Sequence, residues 1–181
     1  MENTTLFFQI FSLSGKYTIL DFLMIFGAGY MIYLTALLVV TVGLAGKPRE
    51  KQAFLLTFFS YILSVVLFEI IHLFVNEPRP FVTYSLTPLI PPTLLIHQAA
   101  DAAFPSAHTI SMAVAFFSFA FYRSKWAYLL FIFLLWVGFA RIFVGVHYPF
   151  DILGGVLTGL IAVLIIWNVK NYLWQKYFAF K

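Results

Sequence analysis

The sequence predicts an all-α membrane protein, a polytopic bundle of about five transmembrane helices preceded by a short interfacial helix. Three observations carry that prediction. Hydrophobic residues make up 62% of the 181-residue chain and charged residues only 10%, against about 45–50% and about 25% in soluble domains. Mean hydropathy is +0.95. Several uncharged runs reach or approach the ~20 residues that cross a hydrocarbon core of ~30 Å. Eleven Lys and Arg against seven Asp and Glu leave a net charge of +4. In such a chain that excess sets orientation and does not point to nucleic acid. The absence of cysteine excludes disulfides, thiol catalysis and cysteine-ligated metal. The N-terminus lacks a basic segment and an A-x-A-like site, so no cleavable signal peptide is expected. No internal repeat or low-complexity linker divides the chain, so residues 1–181 are expected to form one domain.

Residues 4–13, TTLFFQIFSL, are apolar but too short to span, and read as an interfacial helix. The five expected spans are Phe22–Leu44, Ala53–Val75, Pro105–Tyr122, Trp126–Val144 and Phe150–Val169. AGKPREKQ (45–52) separates the first two with Gly, Pro and four charges, and YRSKW (122–126) is a short basic turn. HYP (147–149) places a proline just inside the last helix, where a missing N–H costs nothing. Three prolines interrupt SLTPLIPPTLLIHQ (85–98), so this apolar stretch is expected to be a surface loop or lid and not a lipid-exposed span.

This order sorts the connections onto two sides. One side holds Lys47, Arg49, Lys51, Arg123, Lys125, Lys170, Lys176 and Lys181, eight of the eleven basic residues. The positive-inside rule makes that side cytoplasmic and turns the other toward the periplasm or exterior of a cytoplasmic membrane. The outward side collects Arg79 after span two, Ser106 and His108 at the start of span three, Arg141 near the end of span four, and His147 and Asp151 around the start of span five. Singly, Ser106 reads as an ordinary N-cap, Arg141 as a snorkelling arginine and Asp151 as an acidic first turn. Together they put three sequence-distant clusters on one membrane face, and ionisable groups at that depth are functional candidates.

The chemistry they could perform is phosphoryl transfer, which needs in-line positioning and positive charge around three equatorial oxygens. Arg79 and Arg141 supply planar forks matched to phosphate. Ser106 as N-cap would aim the first free N–H groups of span three, including that of Ala107, at an anion, and its hydroxyl could bind substrate too. His147 is the nucleophile candidate, because Asp151 four residues on can hold one ring nitrogen and support the developing imidazolium. His108 would serve as general acid for the leaving oxygen and then as the base for water. Glu69 and His72 share one helix face, and a buried pair between them is a further expectation. His97 and Asp101 read as surface-loop residues.

EPRPF (77–81), FPSAHT (104–109) and ARIFVGVHYPFD (140–151) resemble the three signature motifs of the type-2 phosphatidic acid phosphatase family, usually K-x6-R-P, P-S-G-H and S-R-x5-H-x3-D. The likeness covers residues 72–151, with His72 where the family has lysine, Ala107 for glycine and Ala140 for serine. His72 carries charge only when protonated, so Arg79 and Arg141 would take most of the phosphate charge. The resemblance implies that His147 forms a phosphohistidine, that Asp151 orients it, and that no metal or other cofactor is required. Within the family the chain is most similar to bacterial undecaprenyl diphosphate phosphatases. That implies removal of the terminal phosphate of a polyprenyl diphosphate on the outer leaflet, with lipid A 1-phosphatase or phosphatidylglycerophosphate phosphatase as alternatives. The expected partners are a lipid phosphate and the bilayer, with no nucleic acid and no obligate protein partner. A transporter would call for an inverted repeat or paired broken helices, and a metal-dependent hydrolase for an H-E-x-x-H-like pair; neither pattern is visible.

Overall fold

The computed structural model describes residues 2–89 and 102–178, and there the chain is all helical. The eight helices are α1 (Glu2–Phe11), α2 (Thr18–Gly29), α3 (Met31–Ala45), α4 (Pro48–Phe74), α5 (Pro80–Thr83), α6 (Ala107–Phe121), α7 (Trp126–Phe143) and α8 (Pro149–Phe178). The fifteen residues of α6 form the centre of the bundle, packed against α4, α7 and α8. Gly155 and Gly159 of α8 let the two backbones approach closely: a Cβ on Gly155 would stand 2.8 Å from the Ser106 carbonyl. Such small-residue contacts are how helices associate in lipid, where burying apolar surface drives little. The outward faces of α4, α7 and α8 present Phe58, Leu135 and Leu157, as a lipid-facing surface requires.

A count of five spans is not confirmed. Among the described residues α4, α7 and α8 are long and apolar enough to cross, and α2 with α3 makes a fourth only if a 54° bend is allowed. That bend at Tyr30 divides the expected Phe22–Leu44 span. Helix α6 rises only ~22 Å, short of the ~30 Å hydrocarbon core. Its start is enclosed by the bundle: Pro105 and Ser106 are buried, and Ala103 just before them is buried too.

The N-terminal helix does more than lie on a membrane surface. Phe7 is completely buried against Ala103, Ile142 and Tyr148, so α1 is seated on one end of the bundle. Asn3 reinforces the docking, its Oδ1 accepting from the Phe150 N–H at 3.0 Å. Of the proline-interrupted loop, Leu89 is tied by its N–H to the Val144 carbonyl at 3.1 Å. Residues 90–98, His97 and Asp101 lie outside the described residues.

Candidate active site

One helix end and two helix starts build most of the site, and each uses a recognisable terminus. At the end of α7, Gly145 adopts φ +89°. The Val146 N–H bonds the Arg141 carbonyl at 3.2 Å and the Gly145 N–H bonds that of Ile142 at 3.0 Å. This is the Schellman arrangement, and glycine stands where left-handed backbone is required. The turn folds residue 147 back over residue 141, which explains the R-x5-H spacing. Two residues later α8 begins at Pro149, and the Tyr148 N–H donates to Asp151 Oδ2 at 2.7 Å. The carboxylate therefore closes a capping-box contact and also fixes the H-x3-D spacing.

These termini bring the predicted groups together. Arg79 Nη1 lies 3.0 Å and Arg141 Nη2 3.3 Å from Nε2 of His147. Guanidinium has no acceptor, so Nε2 presents its lone pair to both and the ring proton belongs on Nδ1. Nδ1 faces Asp151 Oδ2 at 3.4 Å, an ion-pair distance longer than a hydrogen bond. Arg79 also donates to the Val146 carbonyl at 3.3 Å, and Arg141 to the Ala28 carbonyl at 3.1 Å. Arg141, His147 and Asp151 are 1%, 2% and 0% exposed, so their geometry is set by packing and not by solvent. Burial is the main force depressing the His147 pKa well below 6.5, and Arg141, Arg79 and His108 add to it, with the Ala103 backbone opposing.

Ser106 is the N-cap of α6 as expected, yet its hydroxyl does not cap the helix. It accepts from Thr109 Oγ1 at 3.1 Å, while the Ser106 N–H donates to the Asp151 carbonyl at 3.0 Å. The first helical bond runs from the Ile110 N–H to the Ser106 carbonyl, which leaves the amides of Ala107, His108 and Thr109 ahead of the ladder. His108, half-buried in the first turn, lies within electrostatic reach of both arginines and of His147.

His72 is not brought into this cluster by any hydrogen bond. Its Nε2 is buried without a partner and its ring packs on Phe68 at 3.9 Å between centroids. The expected Glu69–His72 pair is absent: Glu69 is exposed and no ion pair joins the two. Glu69 instead lines a groove of about 210 Å³ together with Phe68 and Ala107. Among the described residues no group of three or more His, Asp or Glu is arranged to hold a metal ion.

Sequence reasoning passed over the Ala28 and Val146 carbonyls, the Tyr148 amide and Thr109. Ala28 had a signal in FGAGY (26–30): Gly27 leaves room for Trp136, and the bend at Tyr30 takes the Ala28 carbonyl out of the helical ladder. Arg141 bonds that freed carbonyl.

Known proteins resemble this chain in sequence and fold. The PAP2 superfamily matches residues 53–175. Undecaprenyl-diphosphatase BcrC of Bacillus subtilis (strain 168) is 34% identical over 94% of this chain and 86% of its own length. Bacitracin transport permease protein BcrC of Bacillus licheniformis is 30% identical over 91% and 78% respectively. The crystal structure of Aquifex aeolicus LpxE superposes with a TM-score of 0.66 at 24% identity, covering 93% of this chain and 96% of that one, a likeness of fold. The chain belongs to the PAP2 superfamily, as a multi-pass helical membrane protein.

Proposed function

We propose that the protein is a metal-independent lipid phosphatase, acting as one domain over residues 1–181, whose preferred substrate is undecaprenyl diphosphate. The observation that carries this reading is the meeting of two buried guanidinium groups at the lone pair of His147 Nε2. A terminal phosphate bound by Arg79, Arg141 and the leading amides of α6 has its phosphorus in front of that lone pair. Nε2 attacks phosphorus and the bond to the lipid-phosphate oxygen breaks. His108 gives that oxygen a proton, and the lipid monophosphate leaves. The His108 imidazole then takes a proton from water, whose oxygen displaces Nε2 from phosphorus. Inorganic phosphate and neutral His147 are regenerated. Asp151 holds Nδ1 throughout and stabilises the imidazolium-like ring. His72, which stands where the family has lysine, is assigned at most an accessory donor role toward the phosphate. The identity to a named undecaprenyl-diphosphatase supports the substrate, and the basic residues at the opposite end support a site on the outer face of a bacterial cytoplasmic membrane.

The test is phosphate release by detergent-solubilised protein, with chelator present, from polyprenyl diphosphate, lipid A and phosphatidylglycerophosphate. The expected result is chelator-resistant release, fastest from the polyprenyl diphosphate and lost in His147→Ala. Preference for lipid A or phosphatidylglycerophosphate selects those alternatives, and loss on chelation overturns the histidine mechanism. The name of the B. licheniformis relative favours a transport reading. Bacitracin flux that persists in vesicles carrying His147→Ala would sustain it.

A further inference from the structure

The end of the bundle away from the candidate site carries a second built feature. A cavity of about 510 Å³ runs between α4 and α8, with Leu55, Leu56, Phe59 and Ile166 along its walls. Gln52, Tyr122 and Lys170 bring polar groups to its lining. Both the volume and this mixture of apolar wall and few converging polar groups are those of a ligand site, which falls within about 300–1,000 Å³.

Lys170 is the fixed point. Its Nζ donates to Tyr122 Oη at 2.6 Å and stands 4.9 Å and 4.5 Å from the ring centroids of Tyr122 and Trp167. An exposed lysine would ordinarily sample many rotamers, and one already held loses less entropy when an anion arrives. Depth supplies an independent clue. From Pro149, beside the candidate site, to Lys170 the helix α8 rises ~32 Å, just over the ~30 Å hydrocarbon core. The ammonium therefore stands about one hydrocarbon thickness away from the candidate site. Lys47, Lys51, Lys125 and Lys176 lie at the same end, and among the described residues no carboxylate lines the cavity to receive a headgroup ammonium.

We propose that this cavity holds one anionic phospholipid of the leaflet opposite the candidate site, with its phosphate on Lys170 and Gln52 and an acyl chain against Leu55, Leu56, Phe59 and Ile166. A basic end between helices selects an anionic headgroup over a zwitterionic one, and the apolar wall selects a lipid over a free phosphate. The site is separate from the phosphatase reading and stands without it.

Native mass spectrometry of the full-length, detergent-solubilised protein, titrated with phosphatidylglycerol and with phosphatidylcholine, tests the proposal. Phosphatidylglycerol is expected to bind more tightly, and Lys170→Gln to weaken it about five-fold with phosphatidylcholine unchanged. Leu55→Trp, which fills the cavity from a half-exposed wall position, is expected to weaken both lipids and keeps the test open if Lys170→Gln fails to fold. Lys16→Gln, at the other end, should change nothing. Equal binding of the two lipids, or phosphatidylglycerol binding untouched by either cavity variant, overturns the proposal. So does inorganic phosphate competing away the bound lipid at Lys170.

Discussion

The lone pair of His147 is kept available by its surroundings. Burial first, then the two guanidinium groups and His108, hold its pKa well below 6.5. The ring is therefore neutral at neutral pH, and activity should persist as pH falls through 6.5, its acid limb lying lower. Arg79→Gln removes one of the cations and should move that limb upward, measured as kcat against pH. The sign for stability follows from linkage. A depressed folded pKa lets the unfolded chain take up the proton first, so the contribution of His147 to stability is intact above about 6.5 and declines as pH falls below it. His147→Ala should lower the rate by on the order of 10⁶, as loss of a nucleophile does, and His108→Ala by about 10²–10⁴. Arg141→Lys keeps the charge and loses the fork that spans His147 and the Ala28 carbonyl; a loss of about 10³-fold is expected in single-turnover assays.

The helix termini convert these residues into a site. The Schellman turn at Gly145 requires left-handed backbone, and a Cβ there would also meet the Phe11 ring at 2.8 Å. Gly145→Ala should therefore cost about 1–2 kcal/mol in thermal unfolding and reduce activity by displacing His147 relative to Arg141. Gly155 has ordinary helical backbone but no space. A Cβ would press on the Ser106 carbonyl and on Thr109, so Gly155→Leu should push the start of α6 away from α8. Its signature is a larger loss of kcat than of thermal stability. The capping contact between the Tyr148 amide and Asp151 gives this carboxylate a structural role beside the proposed catalytic one, so Asp151→Asn should keep the fold better than Asp151→Ala while both impair turnover.

The whole bundle has two chemically different ends. One holds the site, capped by α1 through Phe7; the other holds the buried Glu50, bonded to Arg49 and Ser124, and most of the basic residues. Phe7→Ala should destabilise by about 3–5 kcal/mol, read as a lower melting temperature, because α1 is docked and not merely lying on lipid. Orientation can be read directly, since the chain has no cysteine of its own. A cysteine placed at the exposed Thr83 should be labelled by impermeant reagents from the outer face; labelling from the cytoplasmic face alone would reverse the assigned topology.

Composition and charge order were enough to read the helical membrane class and two chemically distinct ends, because the hydrocarbon core admits few backbone solutions and basic residues gather on one side. Spacing was enough to link Arg141, His147 and Asp151, because i+4 and i+6 separations across helix ends are local geometry, while Arg79, Ser106 and His108 were nominated by the membrane face they share and by the motifs they resemble. Other features waited on three-dimensional packing. The bend at Tyr30, the shortness of α6 and the burial of Phe7 depend on how helices meet, and an apolar run reads the same whether it is straight, broken or docked. The Ala28 and Val146 carbonyls were invisible for a simpler reason: every residue has a carbonyl, and only long-range folding selects those that hold a guanidinium. His72 shows the limit from the other direction. Its place in a motif pointed to the phosphate, whereas its ring packs on Phe68, since a motif position specifies a backbone site and the packing around it determines where the side chain lies.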